Sequence, residues 1–135
     1  MTTTPDQPGR AMTMREIRQQ LGHTVPPTGI PYPTVQATGY VVSCLPEGHT
    51  DRWTFTVQVK YAGNDRWAVR HSLRHYSVNG AWEYEPDHDE DDEAEAAWKQ
   101  AHTFDHDTAL RLARELAPTL TYRGYTVANA LAATP

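Results

Sequence analysis

Residues 52–61, RWTFTVQVKY, alternate without a break: Trp53, Phe55, Val57, Val59 and Tyr61 fall on one side, Arg52, Thr54, Thr56, Gln58 and Lys60 on the other. Successive side chains of a β-strand point to opposite faces, so the pattern predicts a strand with one face on a core and one in solvent. Such a strand needs paired neighbours. A slip of one residue in the pairing would carry every apolar side chain to the wrong face. The segment therefore constrains the class of fold and the register of whatever pairs with it.

The following segment alternates too, with Trp67, Val69, His71 and Leu73 on one side. Trp67 shares a face with Tyr61 only if the loop marked by Gly63-Asn64-Asp65 holds an odd number of residues. Downstream, Val78-Asn79-Gly80-Ala81 carries the Asn-Gly pair of a type I′ hairpin. That turn would pair Ser77 with Trp82, His75 with Tyr84 and Arg74 with Glu85. Trp82 and Tyr84 would then join Trp67, Val69 and Leu73 on one aromatic face. Upstream, VQATGYVVSCL over residues 35–45 predicts a further strand, with Cys44 as a small core residue.

Helices follow. Ala94, Ala97, Trp98 and Ala101 lie at i, i+3, i+4 and i+7, behind an acidic first turn that suits the positive end of the helix dipole. Asp105 is placed to cap a second helix with the stripe Ala109, Leu112, Ala113, Leu116, which Pro118 stops. TLTYRG can form a short edge strand, and Thr126 can cap a last short helix through Leu131. Near the N-terminus, Thr13 and Glu16 have capping-box spacing ahead of Ile17 and Leu21, and Gly22 suits the end of that helix. The expected fold is α+β: an antiparallel four-stranded β-meander with two or three C-terminal helices packed on one face and a short N-terminal helix. Residues 1–33 are expected to be a flexible arm bearing that helix and a Pro-rich linker, and residues 34–135 a single domain. The core is expected to hold Trp53, Phe55, Val57, Trp67, Val69, Leu73 and Trp82 against Leu112 and Leu116.

Composition removes several classes of function. The single cysteine, Cys44, allows no internal disulfide, which fits a reducing cytoplasm. The chain has no apolar run of membrane-spanning length, and its first residues, MTTTPDQPGR, lack the apolar stretch of a signal peptide. Lys occurs only at Lys60 and Lys99 and Ile only at Ile17 and Ile30, a usage that fits a high-GC genome, phage and plasmid genomes included. Phosphate-loop, dinucleotide and nucleophile-elbow glycine motifs are absent, so no cofactor is expected.

The charge layout points to a surface. Of the 17 acidic residues, nine lie between Glu83 and Glu95, and no Lys or Arg interrupts that run. The rest of the chain carries a basic excess. Such a run is either a solvated loop or an electrostatic docking site. Our leading expectation is a small non-enzymatic regulatory or interaction protein. It would bind a protein partner with a basic surface through residues 83–95, with Asp87, Asp89, Glu90, Asp91, Asp92 and Glu93 in contact. The alternative is a nucleic-acid-binding domain. The register above puts Arg52, Lys60, Arg66, Arg70 and Arg74 on the sheet face opposite the aromatics, where they could meet phosphates.

A third expectation is a small enzyme with a pocket under the aromatic face, using His71 or His75 with Glu83 or Tyr84. The sequence offers no complete catalytic constellation for it. His71 and His75 would sit about 13 Å apart along one strand, too far to share a metal. Asp87, Asp89 and Asp91 match the first positions of an EF-hand loop, but Asp92 stands where glycine is needed and Trp98 where glutamate is needed. No metal site is therefore expected.

Overall fold

The computed structural model describes residues 13–15 and 29–133. The chain divides into two compact units, the first ending at Gln36 and the second running Ala37–Pro135. Of the first unit, Met14 and Arg15 are helical, and Gly29–Gln36 is exposed, without strand or helix. The rest of the expected N-terminal helix, with Ile17, Leu21 and Gly22, lies outside the described residues.

The second unit is α+β. Strands β1 (Gly39–Ser43), β2 (Thr56–Gly63), β3 (Arg66–His71), β4 (Arg74–Tyr76) and β5 (Trp82–Tyr84) form one antiparallel sheet in sequence order. Helix α1 (Asp92–Ala101), helix α2 (His106–Leu116) and a 3₁₀ turn (Ala117–Thr119) follow. A two-stranded hairpin, β6 (Thr121–Tyr122) and β7 (Tyr125–Thr126), then leads into helix α3 (Val127–Ala132). No helix among the described residues is long and apolar enough to cross a membrane.

The meander has five strands where the alternation predicts four. The segment 67–77 is not one strand: it folds back at Ser72-Leu73, so that His71 pairs with Arg74 and Arg70 with His75. Ser72 has φ 57°, a left-handed backbone that a non-glycine residue adopts at some cost. Leu73, expected in the core, is at the turn and 69% exposed. The next hairpin also differs. Ser77 N–H donates to the Ala81 carbonyl at 2.8 Å, the Ser77 hydroxyl accepts from Ala81 N–H, and Gly80 alone takes a positive φ of 85°. This is a three-residue loop ending in a left-handed glycine rather than a two-residue type I′ turn. Tyr76 therefore pairs with Trp82, His75 with Glu83 and Arg74 with Tyr84.

Two further expectations are corrected. Residues 51–55 are a helical turn rather than strand, since Phe55 N–H donates to the Asp51 and Arg52 carbonyls. Trp53 thus leaves the alternation and is 69% exposed. Cys44 lies just past β1 and is exposed, not in the core. The β2–β3 loop does obey the odd-number rule. Tyr61 pairs with Trp67 across a bulge, and Asn64 and Asp65, both at positive φ, make the turn.

The core lies on the face of Val57, Val59, Trp67 and Val69, against Ala109 and Ala113 of α2, Leu120, and Val127 and Ala130 of α3. Leu112 and Leu116 pack at its margin, as does Trp82. Asp105 caps α2: hydrogen bonds from Thr108, side chain and then backbone, hold its carboxyl below the usual carboxylate range. Thr126 and Asn129 form a reciprocal capping box on α3.

Candidate functional site

The acidic segment starts where the sheet stops. β5 ends at Tyr84, and Pro86, without an N–H, cannot continue a ladder. The loop then folds on its own side chains. Glu85 Oε2 lies 3.0 Å from His88 Nε2, and the Asp87 carboxylate accepts the Asp89 N–H at 2.9 Å. Asp89 and Glu90 follow at φ 47° and 63°, and Asp91 N–H returns to the His88 carbonyl at 2.7 Å. Asp91 is the N-cap of α1, its carboxylate accepting from Glu93 N–H at 3.0 Å and Ala94 N–H at 3.1 Å. Asp92, Glu93 and Glu95 stand in the first turn, at the positive end of the helix dipole.

Asp87, Asp89, Glu90, Asp91, Asp92 and Glu93 are all exposed. Among the described residues no Lys or Arg pairs with any of them. Their carboxylates do not converge. The Asp87 and Asp91 groups are turned onto backbone N–H donors, and no group of three or more His, Cys, Asp and Glu among the described residues is placed to hold a metal ion.

The segment is seated on the sheet by one aromatic side chain. Strand alternation puts Ala68, Arg70, His75 and Glu83 on the face opposite the core, and α1 lays Trp98 over that face. Three imidazoles surround the indole. His102 stacks on it at 3.4 Å between ring centroids and 16° between planes, His75 meets it edge-on at 5.7 Å, and His88 lies tilted to it at 6.2 Å. His102 is buried, with Nδ1 2.8 Å from the Trp98 carbonyl and Nε2 2.8 Å from Glu83 Oε1. Both of its nitrogens thus face oxygen atoms. Burial holds His75 below the ordinary histidine value. The Arg70 guanidinium adds to this, Glu85 opposes it at 3.9 Å, and His102 again lowers it. Arg70 Nε is buried without a hydrogen-bond partner, alone among the described side-chain N and O atoms. A shallow pocket of about 150 Å³ opens beside Trp98, lined among others by His75, Glu95, Lys99 and Thr103.

The five basic residues expected on one face are dispersed. Arg52, in the helical turn, donates to the Leu45 carbonyl at 2.6 Å. Arg66 is spent on Thr103, its guanidinium 2.6 Å from the carbonyl. Lys60 is exposed on the face away from the core, and Arg70 is half-buried there. Arg74 lies on the other face, 4.9 Å over the Tyr84 ring, because the Ser72-Leu73 turn inverts the parity of everything after it. The same turn separates His71 from His75. His71 shares a face with Trp82 and Tyr84 and sits 2.9 Å from the Thr54 carbonyl, whereas His75 shares the opposite face with Glu83. They do not meet under one aromatic surface.

The stacked pair of Trp98 and His102 is not among the residues expected from the sequence. The i,i+4 spacing of an indole and an imidazole on one helix was the available signal. Fold and site together define a small α+β domain that presents a capped acidic helix start on an aromatic–imidazole seat. Comparison with protein-family models, curated proteins and solved structures finds no match.

Proposed function

We propose that this chain is a small non-enzymatic regulatory or interaction protein that docks a protein partner with a basic surface through residues 83–95. One observation carries the reading: six exposed carboxylates, Asp87 and Asp89–Glu93, have no Lys or Arg partner among the described residues. Their loop is nonetheless tied down at Glu85–His88, Asp87–Asp89 and the Asp91 cap. A fixed, uncompensated field of one sign accelerates encounter with the opposite sign and sets orientation, and this holds even where each pair adds little affinity. The departure of Arg52 and Arg74 from the expected face, with Arg66 engaged by Thr103, favours this reading over a phosphate-binding sheet face, and the separation of His71 from His75 favours it over a catalytic pocket.

The test is capture of partners from a native lysate by wild type and by a variant with Asp87, Asp89 and Asp92 changed to Asn, followed by association kinetics of the captured protein at two salt concentrations. The expected result is an association rate that falls with salt for wild type. The variant should associate slowly and with little salt dependence, with the thermal melt unchanged. Equal capture by the two proteins, with equal salt dependence, overturns the reading.

A further inference from the structure

The face of the sheet that carries the core also carries, toward its β4–β5 edge, a surface of the opposite charge. The Ser72-Leu73 turn makes Arg74 the first residue of β4, directly across from Tyr84. Its guanidinium lies 4.9 Å from the centroid of that ring. A second pair of the same kind comes from the C-terminal hairpin. Arg123 and Gly124 form its turn at φ 51° and 82°, and Arg123 stands 5.2 Å over the ring of Tyr122. Arg74, Tyr84, Tyr122 and Arg123 line one cleft of about 480 Å³, which His71 and Thr121 help to close. No Asp or Glu lines it. Neither arginine has a carboxylate partner among the described residues. Tyr84 is 61% and Tyr122 49% exposed, so each ring keeps surface free for a ligand.

Stacking on a tyrosine fixes the plane of a guanidinium and leaves its N–H fork free at the edge, the geometry that takes two phosphate oxygens at once. The exposed ring surface beside each fork suits a planar base, since every base has a π-face whatever its sequence. The cleft volume lies in the range of sites that enclose small ligands, roughly 300–1,000 Å³. Two Arg–Tyr pairs in one cleft match a chain that alternates phosphate with base. A duplex, whose bases are already stacked, offers the phosphates without the rings. An acidic peptide offers the charge without the stacking. We propose that this cleft binds single-stranded nucleic acid, with phosphates at Arg74 and Arg123 and bases on Tyr84 and Tyr122. The site shares only Tyr84 with residues 83–95, none of the carboxylates assigned to docking lines it, and it does not rest on the function assigned to them.

The experiment is fluorescence anisotropy of an end-labelled single-stranded thymidine oligomer against the full chain. Two phosphates held by two arginines predict about a sevenfold loss of affinity between 50 and 200 mM salt, from a slope of about −0.7 per phosphate. Arg74→Gln and Arg123→Asn, the latter chosen because asparagine tolerates the left-handed turn, should each weaken binding and reduce that loss to about threefold. Tyr84→Leu should weaken binding at least about fivefold with the salt dependence unchanged, because it removes stacking and no charge. Arg114→Gln, on α2 outside the cleft, should leave both quantities alone. The proposal is overturned by absence of saturable binding at low salt or by equal affinity for a duplex of the same length. It is likewise overturned by a salt dependence untouched in both arginine variants but reduced by Lys60→Gln, or by displacement of the oligomer by an equal concentration of a peptide spanning residues 83–95. The arginine variants are read by their salt dependence, which a loss of folded protein would not change.

Discussion

The two faces of the sheet are covered by helices in different ways. On one face Val57, Val59 and Val69 are wholly buried against Ala109 and Ala113, which are wholly buried in turn. Alanine at these positions lets α2 come close to the strands, and close apolar packing needs no orientation beyond shape. On the other face α1 has no buried residue of its own. It is held by Trp98 among three imidazoles, by the His102–Glu83 contact at 2.8 Å, by the Asp91 cap, and by the Val78 N–H donating to the Ala101 carbonyl. Each of those contacts depends on geometry, and several on charge. The apolar face should therefore set global stability, while the polar face forms a smaller unit able to loosen alone. The acidic segment is mounted on that smaller unit.

One substitution on each face gives the largest test of this contrast. Trp67 is 5% exposed and meets the rings of Tyr40, Tyr61 and His106 at 5.4, 5.1 and 5.2 Å. Trp67→Ala should cost about 3–5 kcal/mol in denaturant unfolding. Trp98→Ala, at a half-buried site, should cost less, about 1–3 kcal/mol. Its signature should be local: amide exchange should quicken across α1 and leave β2 and β3 protected. If Trp98→Ala quickened exchange in both places alike, the two faces would be one cooperative unit and the contrast would fail.

Much of this arrangement was legible in the sequence, and the failures have physical causes. The alternation of β2, the odd loop that brings Tyr61 onto Trp67, and the caps at Asp105 and Thr126 all rest on short-range stereochemistry. The turn at Ser72-Leu73 has no such signature. Alternation reads the same through one long strand as through two strands folded back on each other, and serine rarely marks a left-handed φ. The Asn79-Gly80 pair did mark a hairpin, but Ser77's hydroxyl closes it around three residues instead of two. Both errors shift parity by one and they cancel, so Trp82 still falls on the face of Val69. They do not cancel between the two turns, where Arg74 and His75 exchange faces. For that reason the acidic segment was readable from sequence whereas the seat beneath it and the Arg74–Arg123 cleft were not.

A smaller effect separates structure from surface charge within the acidic run itself. Asp91 is the one carboxylate there that caps a helix. Asp91→Ala should cost about 1 kcal/mol, whereas Asp91→Asn should cost almost nothing, because asparagine caps as well as aspartate. Asp89→Asn and Asp92→Asn should leave the melt unchanged. A thermal series over these variants sharpens the comparison. If Asp91→Asn destabilised as much as Asp91→Ala, charge rather than hydrogen bonding would be holding α1 in place.

The smallest effect should come from pH, and its sign tests what holds the polar face. The His75 ring is held below the ordinary value of 6.5, first by burial, then by Arg70 and His102, with Glu85 pulling the other way. A ring that binds its proton less readily when folded takes up a proton on unfolding. Its contribution to stability is therefore complete above 6.5 and is lost as pH falls through that value toward the lower folded one. Wild type should melt earlier about one pH unit below 6.5 than about one unit above it, and His75→Gln should show a shallower decline over the same interval. At the lower pH amide protection, taken relative to the slower intrinsic exchange there, should fall in α1 before it falls in β2 or β3, since His75 touches Trp98 and not the apolar core. The opposite result, a wild type stabilised by acid relative to His75→Gln, would mean that Glu85 governs the ring rather than burial and Arg70. The polar face would then be an ion-paired joint that tightens on protonation.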